Sequence, residues 1–180
     1  MISYLNIGDM TDNKEEMFPE VDERGNIVGC MTREMAHGGS KRLHPVVHLH
    51  VFNTDGSLYL QKRPEWKDIQ PGKWDTAVGG HVSLGEDIEA ALLREAEEEL
   101  GLSAFSHIRL GHYVFESNRE RELVYVYKTV YSKEITPDAE ELDGGRFWTL
   151  DEIRENIGKE VFTPNFESEI MRKELQLLIV

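Results

Sequence analysis

Residues Gly79 to Leu102 read GGHVSLGEDIEAALLREAEEELGL. A glycine pair opens the stretch, Gly85 and Glu86 follow, and a run with helical spacing carries Arg94, Glu95, Glu97, Glu98 and Glu99. Asp87 is suited to start a helix and Gly101 to cap its C-terminus, so the segment reads as a loop followed by a helix. At 3.6 residues per turn, Glu95, Glu98 and Glu99 fall within an arc of about 100°. Leu92, Leu93, Ala96 and Leu100 lie on another face and should pack against a core. Adjacent like charges each cost a helix a few tenths of a kcal/mol, or about 0.2–0.5 per pair. A divalent cation among them would offset that cost, and hard oxygen ligands suit magnesium, with manganese as the substitute. A solvated acidic face is the other reading of a Glu-rich helix, and spacing alone leaves both open.

Outward from this stretch, the 180 residues suit one domain with a proper core. A formal net charge of −14 argues against nucleic acid or an anionic membrane as partner. Any anion site must therefore come from a local cationic cluster or a metal. Cys30 is the single cysteine, which excludes an intrachain disulfide and fits a reducing cytoplasm. It reads as a strand residue. The beginning of the chain lacks the basic start and apolar run of a signal peptide, and no stretch is long enough to cross a membrane. The expected location is cytoplasmic.

Residues 1–16 read as a loosely held lead-in and 17–180 as the domain. Phe18 to Val21 and Ile27 to Thr32 flank the turn-rich Glu23-Arg24-Gly25-Asn26, so a hairpin is expected. His37-Gly38-Gly39-Ser40 reads as a loop. Leu43 to Asn53 alternates: Val47, Leu49 and Val51 should face the core, with His44, His48 and His50 on the other side. Asp55-Gly56 turns into Leu58 to Gln61. Arg63 to Trp74 is a loop broken by Pro64, Pro71 and Gly72. Further strands are expected at 75–78, Ile108 to Phe115, Leu123 to Tyr131 and Arg146 to Thr149. Two amphipathic segments, Leu150 to Asn156 and Pro164 to Leu178, close the chain. Trp74, Trp148 and Phe166 are expected to pack in the core. Mixed short strands with few helices indicate an α/β or α+β chain.

The residues Gly80, Glu86 and Arg94 to Leu102 resemble the Nudix box, GX5EX7REUXEEXGU, with every fixed position filled. Ala96 is small for the aliphatic slot but apolar. The resemblance implies an α/β/α sandwich around a mixed sheet and magnesium-dependent hydrolysis of a nucleoside-diphosphate-type or other organic diphosphate. It implies metal ligands at Glu95, Glu98 and Glu99, with Glu98 as base or bridging ligand and Arg94 orienting a glutamate. A small-molecule diphosphate is then the partner, and a homodimer is compatible with this reading.

The pattern from His37 onward also resembles type I isopentenyl-diphosphate isomerases, and the resemblance runs across most of the chain beyond the first 16 residues. The resemblance is carried by Ala36-His37, Arg42-Leu43-His44, the loop pattern Arg63, Lys67, Pro71-Gly72, Trp74, the pair Gly80-His81, and Glu120 with Glu122. It implies a second metal held by His37, His44, His81, Glu120 and Glu122, a donor set that suits a transition metal. It also implies diphosphate contacts from Arg33, Arg63 and Lys67. Two departures separate this chain from those isomerases. Gly79 stands where they carry a catalytic cysteine, and Glu95 stands where their degenerate box carries an arginine. The expectation is a hydrolase on an isomerase-like frame. An isomerase-like enzyme and a catalytically silent binding module are the alternatives.

Overall fold

The computed structural model describes residues 13–67, 70–175 and 177. Most of the expected lead-in, and residues 176 and 178 of the expected 164–178 segment, lie outside them. The chain opens with a hairpin of β1 (Met17–Val21) and β2 (Ile27–Thr32), paired antiparallel. The Asp22 carboxylate holds the turn by accepting from the Arg24 and Asn26 amides, each at 2.9 Å. Thr32 then caps α1 (Arg33–His37), its hydroxyl accepting from Met35 N. His37 thus ends a short helix instead of opening a loop. Phe18, Met31 and Ala36 form a small core under this unit.

The main sheet is organised around β3 (Leu43–Phe52), with β4 (Leu58–Lys62), β5 (Trp74–Thr76), β6 (Val78–His81), β7 (Ile108–Glu116), β8 (Arg121–Val130) and β9 (Gly145–Trp148). Its principal order is β5-β4-β3-β8-β7, with β6 also on β3 and β9 on β4. The pairing of β3 with β8 is parallel and the rest antiparallel, which makes the sheet mixed. Along one edge of β3, Val51 and Phe52 pair with β4, whereas Val46 to Leu49 pair with β6. The segment 74–81 therefore leaves β4 at Ala77 and crosses to β3. The one strand expected at 75–78 is two, and the sheet parts between them.

Helix α2 (Ile88–Leu100) covers one face, burying Ala91, Leu92, Ala96 and Leu100 against Val47, Leu49 and Val51. Truncating Leu92 or Leu100 to alanine would cost about 2–5 kcal/mol. Leu93, expected in that face, is exposed at 43% because it sits at the margin of the apolar arc. Gly101, at φ 66°, ends the helix: its N–H donates to Glu97 O, and the Leu102 N–H donates to Ala96 O. Helices α3 (Leu150–Asn156) and α4 (Pro164–Ile170) lie on the opposite face, where Ile153, Phe166 and Ile170 pack with Val46, Val124 and Val126. The helical part of 164–178 is shorter than expected: α4 closes at Met171, and a 3₁₀ turn follows at Lys173–Leu175. This is an α/β/α arrangement. With helices on both sides, β3 is buried on both faces, so His44, His48 and His50, on the side opposite Val47, Leu49 and Val51, are interior residues. Trp148 and Phe166 are core residues, as expected. Cys30 is an exposed residue of β2. Among the described residues no helix is long and apolar enough to cross a membrane.

Candidate active site

Helix α2 turns its acidic arc toward the parting of the sheet, and Arg94 ties Glu95 and Glu98 of that arc together. Arg94 Nε and Nη2 donate to the two oxygens of Glu86 at 2.8 and 2.9 Å, a bidentate pair. Its Nη1 donates to Glu95 Oε1 at 2.8 Å and Glu98 Oε2 at 3.1 Å, and its Nη2 also reaches His81 O at 3.0 Å. One guanidinium therefore links the loop before α2, the helix itself and the end of β6. The bonds to Arg94 lead the causes that hold the Glu86 carboxyl below its usual range.

The three glutamates differ in depth because of their headings on the helix. Glu99 lies only about 20° from the heading of buried Leu92, Glu95 about 60° away and Glu98 about 120° away. Side-chain exposure follows: Glu95 is at 14% and Glu98 at 60%. Glu99 is drawn inward, accepting from Gly79 N and Gln61 Nε2, each at 3.3 Å. Burial pushes the Glu99 carboxyl well above its ordinary range, with the Glu95, Glu141 and Asp75 charges adding to the effect. Burial likewise raises Glu95, against the pull of Arg94. Two recessed carboxylates, with Arg94 bonded to Glu95 as the cation at hand, fit a hard divalent cation. Gly80 makes room for them, since a Cβ there would overlap the Glu95 side chain.

On the far side of β6, the structure gathers three imidazoles from three elements. His37 at the end of α1, His44 on β3 and His81 on β6 each place a ligand atom within 4.8 Å of the others. His37 Nδ1–H donates to Glu120 Oε2 at 2.6 Å, and His44 Nδ1 lies 3.2 Å from Arg42 O. The Nε2 atoms of all three rings are buried and have no hydrogen-bond partner. Such outer contacts fix tautomers and leave the inner nitrogens as donors to a metal. Burial lowers His44 to about 4 and His81 well below its usual value, so both rings are neutral, the ligating form. Glu120 stands behind His37. Glu122 sits beside His44 across the β3–β8 pair, is 8% exposed, and is raised to about 8 by burial and the Glu120 charge. The donor set suits a transition metal.

The expected cations are spread around the parting. Arg33 pairs with Glu16 at 3.0 Å and lies over the Phe18 ring, next to the imidazole group. Arg63 faces Asp75 at 3.7 Å, and Lys67 faces Glu141 at 3.4 Å. Both of those carboxylates bear on Glu99.

A polar group that the sequence reading missed lies under Gly79. Glu169 of α4, 0% exposed, accepts from His48 Nδ1 at 2.8 Å, His50 Nε2 at 2.6 Å and Tyr113 OH at 2.6 Å. Burial works to lower His48, but the charge of Glu169 and its hydrogen bond outweigh burial and raise the imidazole to about 9. Gln61 and Asp75 were missed too. The only sequence signal was the His-x-His alternation in β3, because its acidic partner is more than 100 residues away.

The sequence model of the NUDIX domain matches residues 42–166. Isopentenyl-diphosphate Delta-isomerase 1 of Photorhabdus laumondii is 30% identical over 158 residues, covering 83% of this chain and 89% of that protein. A protein of Yersinia pestis named as an uncharacterized Nudix hydrolase is 30% identical over 145 residues, covering 81% and 78%. Among solved structures, a Deinococcus radiodurans protein superposes with a TM-score of 0.75 at 26% identity, covering 86% of this chain and 97% of that one.

Proposed function

The chain belongs to the Nudix family, and from that premise we propose that it is a magnesium-dependent hydrolase cleaving the diphosphate linkage of a nucleoside-diphosphate-type or other organic diphosphate. The observation that carries this reading is the carboxylate set itself: Glu86, Glu95 and Glu98 are assembled around Arg94, and Glu99 is drawn in beside them on Gly79 N and Gln61 Nε2. A module that only binds has no need of that set.

Glu95, Glu98 and Glu99 would hold the ion, with manganese as a substitute. When bound, the metal supplies Lewis-acid charge against phosphoryl oxygens. Arg94 keeps Glu95 and Glu98 in register with the helix and the β6 end, so neither has to reorganise during reaction. Glu98 has one oxygen on Arg94 and is the most exposed of the three. It is therefore placed to accept the proton of an attacking water. Arg33, Arg63 and Lys67 flank the parting and would exchange their carboxylate partners for phosphate oxygens on binding.

A second reading, isomerase-like chemistry on an isoprenoid diphosphate, is favoured by the imidazole group and by relatives named as isomerases. Gly79 weighs against it, since it offers no side-chain acid or base. His37, His44 and His81 would hold a second, transition-metal ion, with Glu120 and Glu122 beside it, and tie α1, β3 and β6 together.

The discriminating experiment incubates the protein with magnesium, then manganese, and with nucleoside diphosphate derivatives, dinucleotide polyphosphates and isopentenyl diphosphate. Release of phosphate or a monophosphate supports the hydrolase. Conversion of isopentenyl diphosphate to its allylic isomer without phosphate release supports the second reading. No turnover by folded, metal-loaded protein supports a binding module.

A further inference from the structure

We propose that His48 contacts the substrate, its Nε2–H donating past Gly79 to a phosphoryl oxygen while Glu169 fixes the ring from behind. This rests on the diphosphate reading above.

His48 and Gly79 are register partners in the β3–β6 pair, so they share a face of the sheet. A Cβ on Gly79 would stand 3.6 Å from both His48 Nε2 and Cδ2. Glycine at that position thus leaves the Nε2 edge of the ring open. The opposite edge is closed, because Glu169 is a carboxylate and can only accept, so Nδ1 carries hydrogen. Its three donors hold Glu169 in one orientation, and with it the imidazole. Among the described residues, Nε2 has no hydrogen-bond partner of its own.

Burying a carboxylate with two imidazoles is a poor route to stability compared with apolar packing of the same volume. This network has two unbonded ends: His50 Nδ1, which is buried without a partner, and His48 Nε2, which lies beside the glycine whose amide binds Glu99. A diphosphate held by the carboxylates of α2 would lie against that same glycine.

Charge points the same way. Asp75, Glu122 and Glu169 act on His48, and Glu95 and Glu99 stand nearby around Gly79 and Gly80. Arg33, Arg63 and Lys67 are each engaged with a carboxylate. His48 supplies an inward-facing positive donor among these anions, and its raised proton affinity agrees with that role. Glu169 is a positioning residue, since it acts only through His48.

The test joins a binding arm to a kinetic one. In the binding arm, methylenediphosphonate with magnesium is titrated into ¹⁵N-histidine-labelled full-length protein, the His48 signals being assigned by their loss in His48→Gln. The Nε2 signal of His48 should shift on saturation. Glu169→Gln should move that signal before any ligand is added, and Glu169→Asp should restore part of the ligand-induced shift. In the kinetic arm, His48→Gln should lower kcat/KM for a cleaved diphosphate about a hundredfold, chiefly in kcat. An Nε2 signal unmoved at saturation, or a folded His48→Gln within about threefold of wild type, overturns the proposal. If His48→Gln does not fold, His48→Asn supplies the assignment and the wild-type titration decides. If wild type cleaves no diphosphate, the hydrolase reading falls separately, and the titration still decides the contact.

Discussion

Gly80→Ala should uncouple the metal-binding carboxylates without unfolding the protein. A Cβ at this position would run into Cγ, Cδ and Oε1 of Glu95. The β6 backbone is held by β3, so the glutamate must yield, and it has to withdraw by about 1 Å or more to reach ordinary van der Waals separation. The Arg94–Glu95 bond is 2.8 Å long, and the same withdrawal takes it beyond about 3.5 Å, where little hydrogen bonding remains. Loss of one charge-assisted bond costs about 1.5–3 kcal/mol at most, and the outward move of a partly exposed carboxylate returns some of that to hydration. A misplacement of about 1 Å in a site residue can lower turnover about a hundredfold. The assay is kcat/KM against magnesium concentration for any diphosphate the wild type cleaves, paired with a thermal melt. The expected result is a loss near two orders of magnitude and a weaker magnesium dependence, with melting lowered by only a few degrees. Wild-type magnesium dependence and turnover in Gly80→Ala would refute the placement of Glu95 in the site.

Glu98→Gln should lower turnover by at least about a hundredfold, with folding unchanged or slightly improved because Glu98 is exposed; near-wild-type turnover at saturating magnesium would remove Glu98 from the mechanism. Protein purified without chelator should carry a transition metal that His44→Ala lacks, measured by elemental analysis, and equal content in the two would refute the imidazole site. His48, raised from 6.5 to about 9, contributes stability that is fully present below pH 6.5 and lost as pH rises through about 9. Denaturant titrations should therefore show the advantage of wild type over His48→Gln shrinking across that window, and a constant difference would contradict the ion pair with Glu169.

What was legible in the chain was local. The box fixed α2, its Gly101 cap and the shared arc of Glu95, Glu98 and Glu99, because helical periodicity and cap chemistry act over a few residues. The hairpin at 17–32 was readable for the same reason. The sequence did not say that 74–81 changes partner at Ala77, because strand alternation carries no information about which neighbour a strand pairs with. Nor did it show that β3 is buried on both faces. Alternation put His44, His48 and His50 on the side opposite Val47, Leu49 and Val51, and only the packed fold shows that this side is covered too. His37 was read as a loop residue because the glycines after it are loud signals, whereas a five-residue helix is too short to show a period. The tie of His48 to Glu169 joins β3 to α4, and only the packed fold reveals it.

The most direct test of the hydrolase account is ³¹P NMR of a diphosphate turnover run with magnesium in ¹⁸O-labelled water. The account predicts cleavage of the phosphorus–oxygen–phosphorus link, with one ¹⁸O entering a phosphate product and its signal shifting upfield. It also predicts that cleavage stops when magnesium is chelated and in Glu98→Gln. A diphosphate left whole by folded, magnesium-loaded protein across nucleoside, dinucleotide and isoprenoid substrates would contradict it.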